Sequence, residues 1–187
     1  KKKIWSMLTN AVKDRGSPFR IPVFICGDQS DFDGRIIVLR KSDETKNLVQ
    51  YHSDIRSDKI RKLKVNKNAA MLFYDKNEKI QVRLKVECTV NHDNEITKKS
   101  WLKTGHMSRK CYLVDNGPGA ESDNPTSGLK PKLDNFEYTM EQSEEGYKNF
   151  TVIQCKIKSI EWLYLAAKGH RRARFNLENN NDTWLIP

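Results

Sequence analysis

A chain of 187 residues with 37% hydrophobic and 31% charged residues has the size of one domain, long enough for one buried core and one site. Its apolar residues gather into short runs, which excludes a disordered chain. The 34 lysines and arginines against 24 acids give a net charge of +10. That charge favours an anionic partner without choosing among a phosphorylated small molecule, nucleic acid and a membrane surface, and surface lysine kept for solubility accounts for it equally well.

No stretch approaches the roughly 20 apolar residues needed to span a bilayer. The basic start Lys1-Lys2-Lys3 leads into an amphipathic segment, not a signal-peptide core. Cys26, Cys88, Cys111 and Cys155 form no C-x-x-C pair and lie at no metal-ligand spacing from one another or from His52, His92, His106 and His170. The expectation is a cytoplasmic protein with reduced cysteines, no metal and no membrane association.

In chain order, Ile4, Trp5, Leu8 and Val12 recur at helical spacing, and Arg15-Gly16-Ser17-Pro18 ends the pattern. Residues 21–26, 35–40 and 48–52 then read as three strands of a meander, with Asp33-Gly34 as a hairpin turn. Residues 57–65 suit a short basic helix closed by Asn66-Lys67-Asn68. The apolar run 69–74 reads as a buried strand. Residues 80–90 alternate, with Ile80, Val82, Leu84, Val86, Cys88 and Val90 on one face and Gln81, Arg83, Lys85 and Glu87 on the other. A longer helix is expected over 97–113, then a mobile loop over about 115–128, rich in Gly, Pro, Asn and Ser. Strands return at 150–157, 160–165, about 172–177 and 184–186. Seven or eight strands with inserted helices and no regular β-α alternation indicate a mainly β, barrel-type single domain.

Asp54-Ile55-Arg56-Ser57-Asp58-Lys59 lies where a strand gives way to a helix. Free backbone N–H groups, a serine hydroxyl and two cations suit a phosphate; they equally suit a capped helix with a solvated basic face. Gly34-Arg35-Ile36-Ile37-Val38-Leu39-Arg40 is an apolar strand with an arginine at each end, and Gln81 is an amide that either faces water or hydrogen-bonds a planar heterocycle. Gly169-His170-Arg171-Arg172-Ala173-Arg174 concentrates positive charge around a strand start. No hydrolytic elbow, zinc-protease helix or P-loop is present, and no catalytic residue is assigned.

These motifs occur in an order that resembles the pyridoxamine 5'-phosphate oxidase-like FMN-binding proteins. The likeness runs from Ile4-Trp5 through Asp33-Gly34-Arg35-Ile36-Ile37-Val38-Leu39-Arg40, Tyr51-His52-Ser53-Asp54-Ile55-Arg56-Ser57-Asp58-Lys59, Asn68-Ala69-Ala70-Met71-Leu72-Phe73-Tyr74 and Gln81-Val82-Arg83-Leu84. It continues at Ile160-Glu161-Trp162, Arg172-Ala173-Arg174-Phe175 and Trp184-Leu185-Ile186-Pro187. The resemblance implies a dimeric FMN-binding split β-barrel, with one FMN in each of two clefts of a homodimer.

By position, it assigns Arg35 to the flavin phosphate and Ile36, Ile37 and Val38 to the backbone along the ring. Ser53, Arg56, Ser57 and Lys59 fall in the phosphate-binding turn, Gln81 on the ring edge, and Arg174 on the cofactor of the partner subunit. The cofactor would supply the chemistry, which makes the expected function FMN-dependent oxidation or reduction of a small, anionic molecule. A flavin- or haem-binding protein with a stress or storage role is the alternative. Substrate contacts are expected from Arg40, Ser108 and Arg172. Thr104 lies near the position of the family's substrate-phosphate arginine, and Arg172 stands where the family has a histidine, so the resemblance does not favour pyridoxamine 5'-phosphate itself. No nucleic-acid partner is expected, because the aromatics sit in apolar runs as core residues do.

Overall fold

The computed structural model describes residues 1–27, 31–135 and 137–187. Helix α1 (Lys2–Lys13) forms because Ile4, Trp5, Leu8 and Ala11 share one buried face. It ends at Asp14, which turns extended and accepts the Gly16 N–H at 2.8 Å. Arg20 then donates to the carbonyls of Ala11 and Val12, supplying positive charge at the helix C-terminus.

The strands are β1 (Val23–Gly27), β2 (Phe32–Ile36), β3 (Leu39–Asp43), β4 (Leu48–Asp54), β5 (Asn68–Asp75), β6 (Ile80–His92), β7 (Phe150–Tyr164), β8 (Arg171–Asn176) and β9 (Asp182–Leu185). They join in the order β2-β1-β5-β6-β7-β4-β3, with β8 paired to β7 and β9 to β8. The sheet is antiparallel at each pairing for which the register is described. Helix α2 (Asp58–Val65) lies between β4 and β5. Helices α3 (Glu95–Leu102), α4 (His106–Arg109) and α5 (Pro131–Asp134) fall between β6 and β7. The mainly β class with inserted helices is therefore as expected.

The chain divides into two compact units. The first comprises residues 1–51, 62–89 and 154–187 and has Trp5, Leu8, Phe24, Tyr51, Met71, Phe73 and Leu84 in its core. The second comprises residues 52–61 and 90–153 and is centred on Trp101, Tyr112, Phe150 and Val152. In it, Phe150 is fully buried, with ring centroids 5.1 Å from those of both Trp101 and Tyr112.

Four expectations are corrected. Residues 35–40 are not one strand: β2 stops at Ile36, the Ile37 N–H turns to the Pro22 carbonyl, and β3 starts at Leu39. Asp33 and Gly34 are not a turn, because they lie within β2 opposite Cys26 and Ile25.

The helix expected over 97–113 is broken after Leu102. There the Thr104 hydroxyl returns to the Ser100 carbonyl, and the Arg109 guanidinium takes the carbonyls of Trp101 and Thr104 that a continuing helix would use. Residues 150–164, read as two strands, form one. Lys158 at the supposed gap is held in the sheet by ion pairs to Glu87 and Glu178. The alternation over 80–90 holds, with even-numbered residues buried up to Cys88. Residues 115–128 lie between α4 and α5 without a helix or strand.

Candidate functional site

The residues 53–59 form a compact polar cluster in the second unit. β4 delivers Ser53 and Asp54, both buried, to the start of α2. Ser57, 3% exposed, donates its hydroxyl to the Asp54 carbonyl at 2.9 Å. The Ser53 and Ser57 hydroxyls are 3.2 Å apart, and Lys59 Nζ donates to both, at 2.8 and 3.0 Å. One ammonium and two hydroxyls thus converge at the first turn of an eight-residue helix, where backbone N–H groups also favour an anion.

Arg56 is committed elsewhere. Its Nε and Nη2 bind both carboxylate oxygens of Asp54, at 3.0 and 2.7 Å, and its remaining donors reach the carbonyls of Val114 and Asp115. Its hydrogen bonds to Asp54 raise its pKa above the usual arginine value. Four of five guanidinium donors are spent, two on Asp54 and two on holding the loop that begins at residue 113. The structure brings Ser53, Ser57 and Lys59 together at a point, and turns Arg56 into a brace for it.

In the first unit, Arg35 on β2 pairs with Asp33 two residues earlier on the same strand. Its Nε is buried without a hydrogen-bond partner, a donor the protein itself leaves unsatisfied. Beyond it Ile36 is 65% exposed, Ile37 is buried and Val38 is half-buried. Gln81 on β6 is half-buried opposite Tyr74 of β5.

Arg172 and Arg174 both bind one carboxylate. Glu161 on β7 accepts from Arg172 Nε and Nη2 at 3.0 and 2.7 Å, from Arg174 at 3.4 Å, and from Arg83 of β6. Burial and the two neighbouring arginines lower the Arg83 pKa. Three guanidiniums around one carboxylate leave a local excess of positive charge.

The remaining positions have structural partners. Arg40 sits at a bulge where the β3–β4 register shifts between Leu39 and Lys41. The Ser108 carbonyl accepts from Cys111, and Thr104 is buried in the helix break. Asp54, Glu161 and Arg83 are the functional-looking residues that sequence reasoning missed. Asp54 was within reach as the acid two residues before Arg56, but the Glu161 node depends on cross-strand register that no local pattern encodes.

Residues 6–92, just under half of the chain, match the family model described as pyridoxamine 5'-phosphate oxidase, FMN-binding domain. The likeness extends to solved structures over the full length. Within residues 6–92 the chain resembles that FMN-binding domain.

It resembles a pyridoxamine 5'-phosphate oxidase-related, FMN-binding protein from Nostoc punctiforme PCC 73102 at a TM-score of 0.77 and 16% identity, covering 100% of this chain and 97% of that one. PhzG from Burkholderia lata 383, in complex with tetrahydrophenazine-1-carboxylic acid, is similar at 0.74 and 16% identity, over 100% and 90% of the two chains. A Clostridium acetobutylicum protein related to general stress protein 26 follows at 0.58 and 11%, over 97% and 99%. At these identities the structural likeness establishes the fold. No curated protein sequence matches the chain. Among the described residues no helix is long and apolar enough to cross a membrane, and no cluster of ligating side chains could hold a metal ion.

Proposed function

We propose that this protein binds FMN and acts as an FMN-dependent oxidoreductase on a small, anionic substrate, the whole chain serving as one split-barrel flavin domain. The observation that carries the reading is the convergence of Lys59 Nζ with the Ser53 and Ser57 hydroxyls, a donor set matched to a phosphomonoester. The family match over residues 6–92 supports it. Arg35 of the first unit, with its buried and unpartnered Nε, is assigned to the flavin phosphate by family position. Ile36, Ile37 and Val38, Gln81 and Arg174 are assigned to the cofactor by family position. Bound FMN would supply hydride or electron transfer, and the chain's own groups would hold the phosphate, hydrogen-bond the ring and exclude water.

Arg172 supplies cationic charge for the substrate, with Arg40 and Ser108 as further contacts, while Glu161 fixes the guanidiniums of Arg172 and Arg174 in place. Thr104 offers no cation, and its hydroxyl is held by the Ser100 carbonyl. We therefore expect pyridoxamine 5'-phosphate to be a poor substrate.

The test is a pair of fluorescence titrations. FMN is expected to bind at least about tenfold more tightly than riboflavin, since each charged hydrogen bond to the phosphate contributes roughly 1.5–3 kcal/mol. Equal affinities would remove the phosphate site from the account.

A homodimer in the cytoplasm is part of the same proposal. Phe32, Ile36 and Tyr74 of the first unit are 74%, 65% and 49% exposed, and apolar side chains left uncovered on a sheet favour a partner surface. Light scattering should give twice the 21.8 kDa chain mass; a stable monomer saturated with FMN would count against the dimer.

A further inference from the structure

We propose that the cavity between α1 and the β7-β8-β9 ribbon is a second binding site, for a planar aromatic monocarboxylate, and that it is separate from the flavin residues. Its volume is about 860 Å³, within the range of small-molecule sites and far above the voids of a packed core. Ile4, Ile80, Trp162, Tyr164, Phe175 and Trp184 give it apolar and aromatic walls.

The register explains the shape. Trp162 of β7 pairs with Ala173 of β8, and Ala173 pairs with Trp184 of β9, so two indoles flank one methyl group on a single rung of the sheet. Tyr164, two residues along the same face, lies parallel to Trp162, with ring planes 6° apart and centroids separated by 6.2 Å. Trp184 is 74% exposed, an unusual cost for so large an apolar surface unless something covers it. A flat ring laid over Ala173 would meet an indole on either side.

Charge at the rim selects an acid. Lys3 is paired with Glu78 at 2.5 Å and Lys1 with Asp182 at 4.0 Å. Lys79 also lines the cavity and has no acidic partner among the described residues. Its backbone is fixed at the wall, with φ of 55° and its carbonyl accepting the Leu165 N–H at 2.9 Å. One unpaired ammonium at the edge of an aromatic slot matches one carboxylate on the ligand.

The cavity shares no residue with the flavin and substrate positions. Arg172 and Arg174 project from the face of β8 opposite to Ala173 and Phe175, and Gln81 from the face of β6 opposite to Ile80. The proposal therefore stands apart from the flavin reading and fails separately from it.

Calorimetric titration with 2-naphthoate and its neutral analogue 2-naphthylmethanol tests the assignment on the full chain. The expected result is one 2-naphthoate per chain, undisturbed by saturating FMN. Lys79→Gln should weaken 2-naphthoate about two- to fivefold, as an exposed ion pair does, and leave the alcohol unchanged. Trp184→Ala removes a largely exposed side chain and should weaken both ligands about tenfold, with the thermal midpoint of folding held. No binding at millimolar ligand, unchanged affinity in both variants, or displacement of 2-naphthoate by FMN would each overturn the proposal.

Discussion

Lys59→Met is expected to weaken FMN binding by about 10- to 150-fold, the equivalent of one charged hydrogen bond of roughly 1.5–3 kcal/mol, while leaving riboflavin affinity unchanged. Methionine keeps the aliphatic stem and removes the ammonium that joins Ser53 to Ser57. Arg56→Ala should behave differently, although both residues are basic and three positions apart. Its donors are spent on Asp54 and on the Val114 and Asp115 carbonyls. Its loss therefore strips the guanidinium from a carboxylate whose side chain is 5% exposed, leaving it only the backbone N–H of residue 56, and the damage should appear first as lowered folding stability. Titration of both variants with FMN and riboflavin, beside their denaturant midpoints, separates a ligand contact from a brace. An equal loss of FMN affinity in the two variants, with stability untouched, would restore Arg56 to the phosphate.

Phe150→Ala should lower stability by about 3–5 kcal/mol, the range for deleting a fully buried aromatic ring. Phe150 is 0% exposed and packs its ring against Trp101, Tyr112 and His52. Few neighbours can move in to fill the space, because Trp101 is fixed by its indole N–H on Glu144 and by the Arg109 guanidinium 4.4 Å above its ring. Arg109 is itself 3% exposed and bonded to Thr104, Ser143, Glu144 and Trp101. A drop in the thermal midpoint of about 10 °C is the matching observable for a protein of this size. A change below about 1 kcal/mol would mean that this cluster is not the core of its unit.

Periodicity made α1 and β6 legible because their buried faces repeat without interruption, as Ile4, Trp5 and Leu8 or Val82, Leu84 and Val86 show, and the apolar run over 69–74 marked β5. Failures came where a long-range contact overrode a local pattern. Arg109 lies five or more residues from the carbonyls it takes, so the helix break at 103–105 has no local signature beyond Gly105. Lys158 and Ser159 look like a gap between strands until Glu87 and Glu178 are placed beside them.

The site divides in the same way. Ser53, Ser57 and Lys59 are close in sequence and turn out to be close in space. Whether Arg56 is spent or available depends on where residues 114 and 115 fold, nearly 60 positions away. The Glu161 node needed the pairing of β7 with β8, which places Glu161 opposite Arg174.

The most direct test of the central claim is a crystal structure of the protein grown with FMN. The account predicts the flavin phosphate within hydrogen-bond distance of Lys59 Nζ and of the Ser53 and Ser57 hydroxyls, with Arg56 still bound to Asp54. A phosphate located elsewhere, or crystals from saturating FMN that contain no flavin, would contradict it.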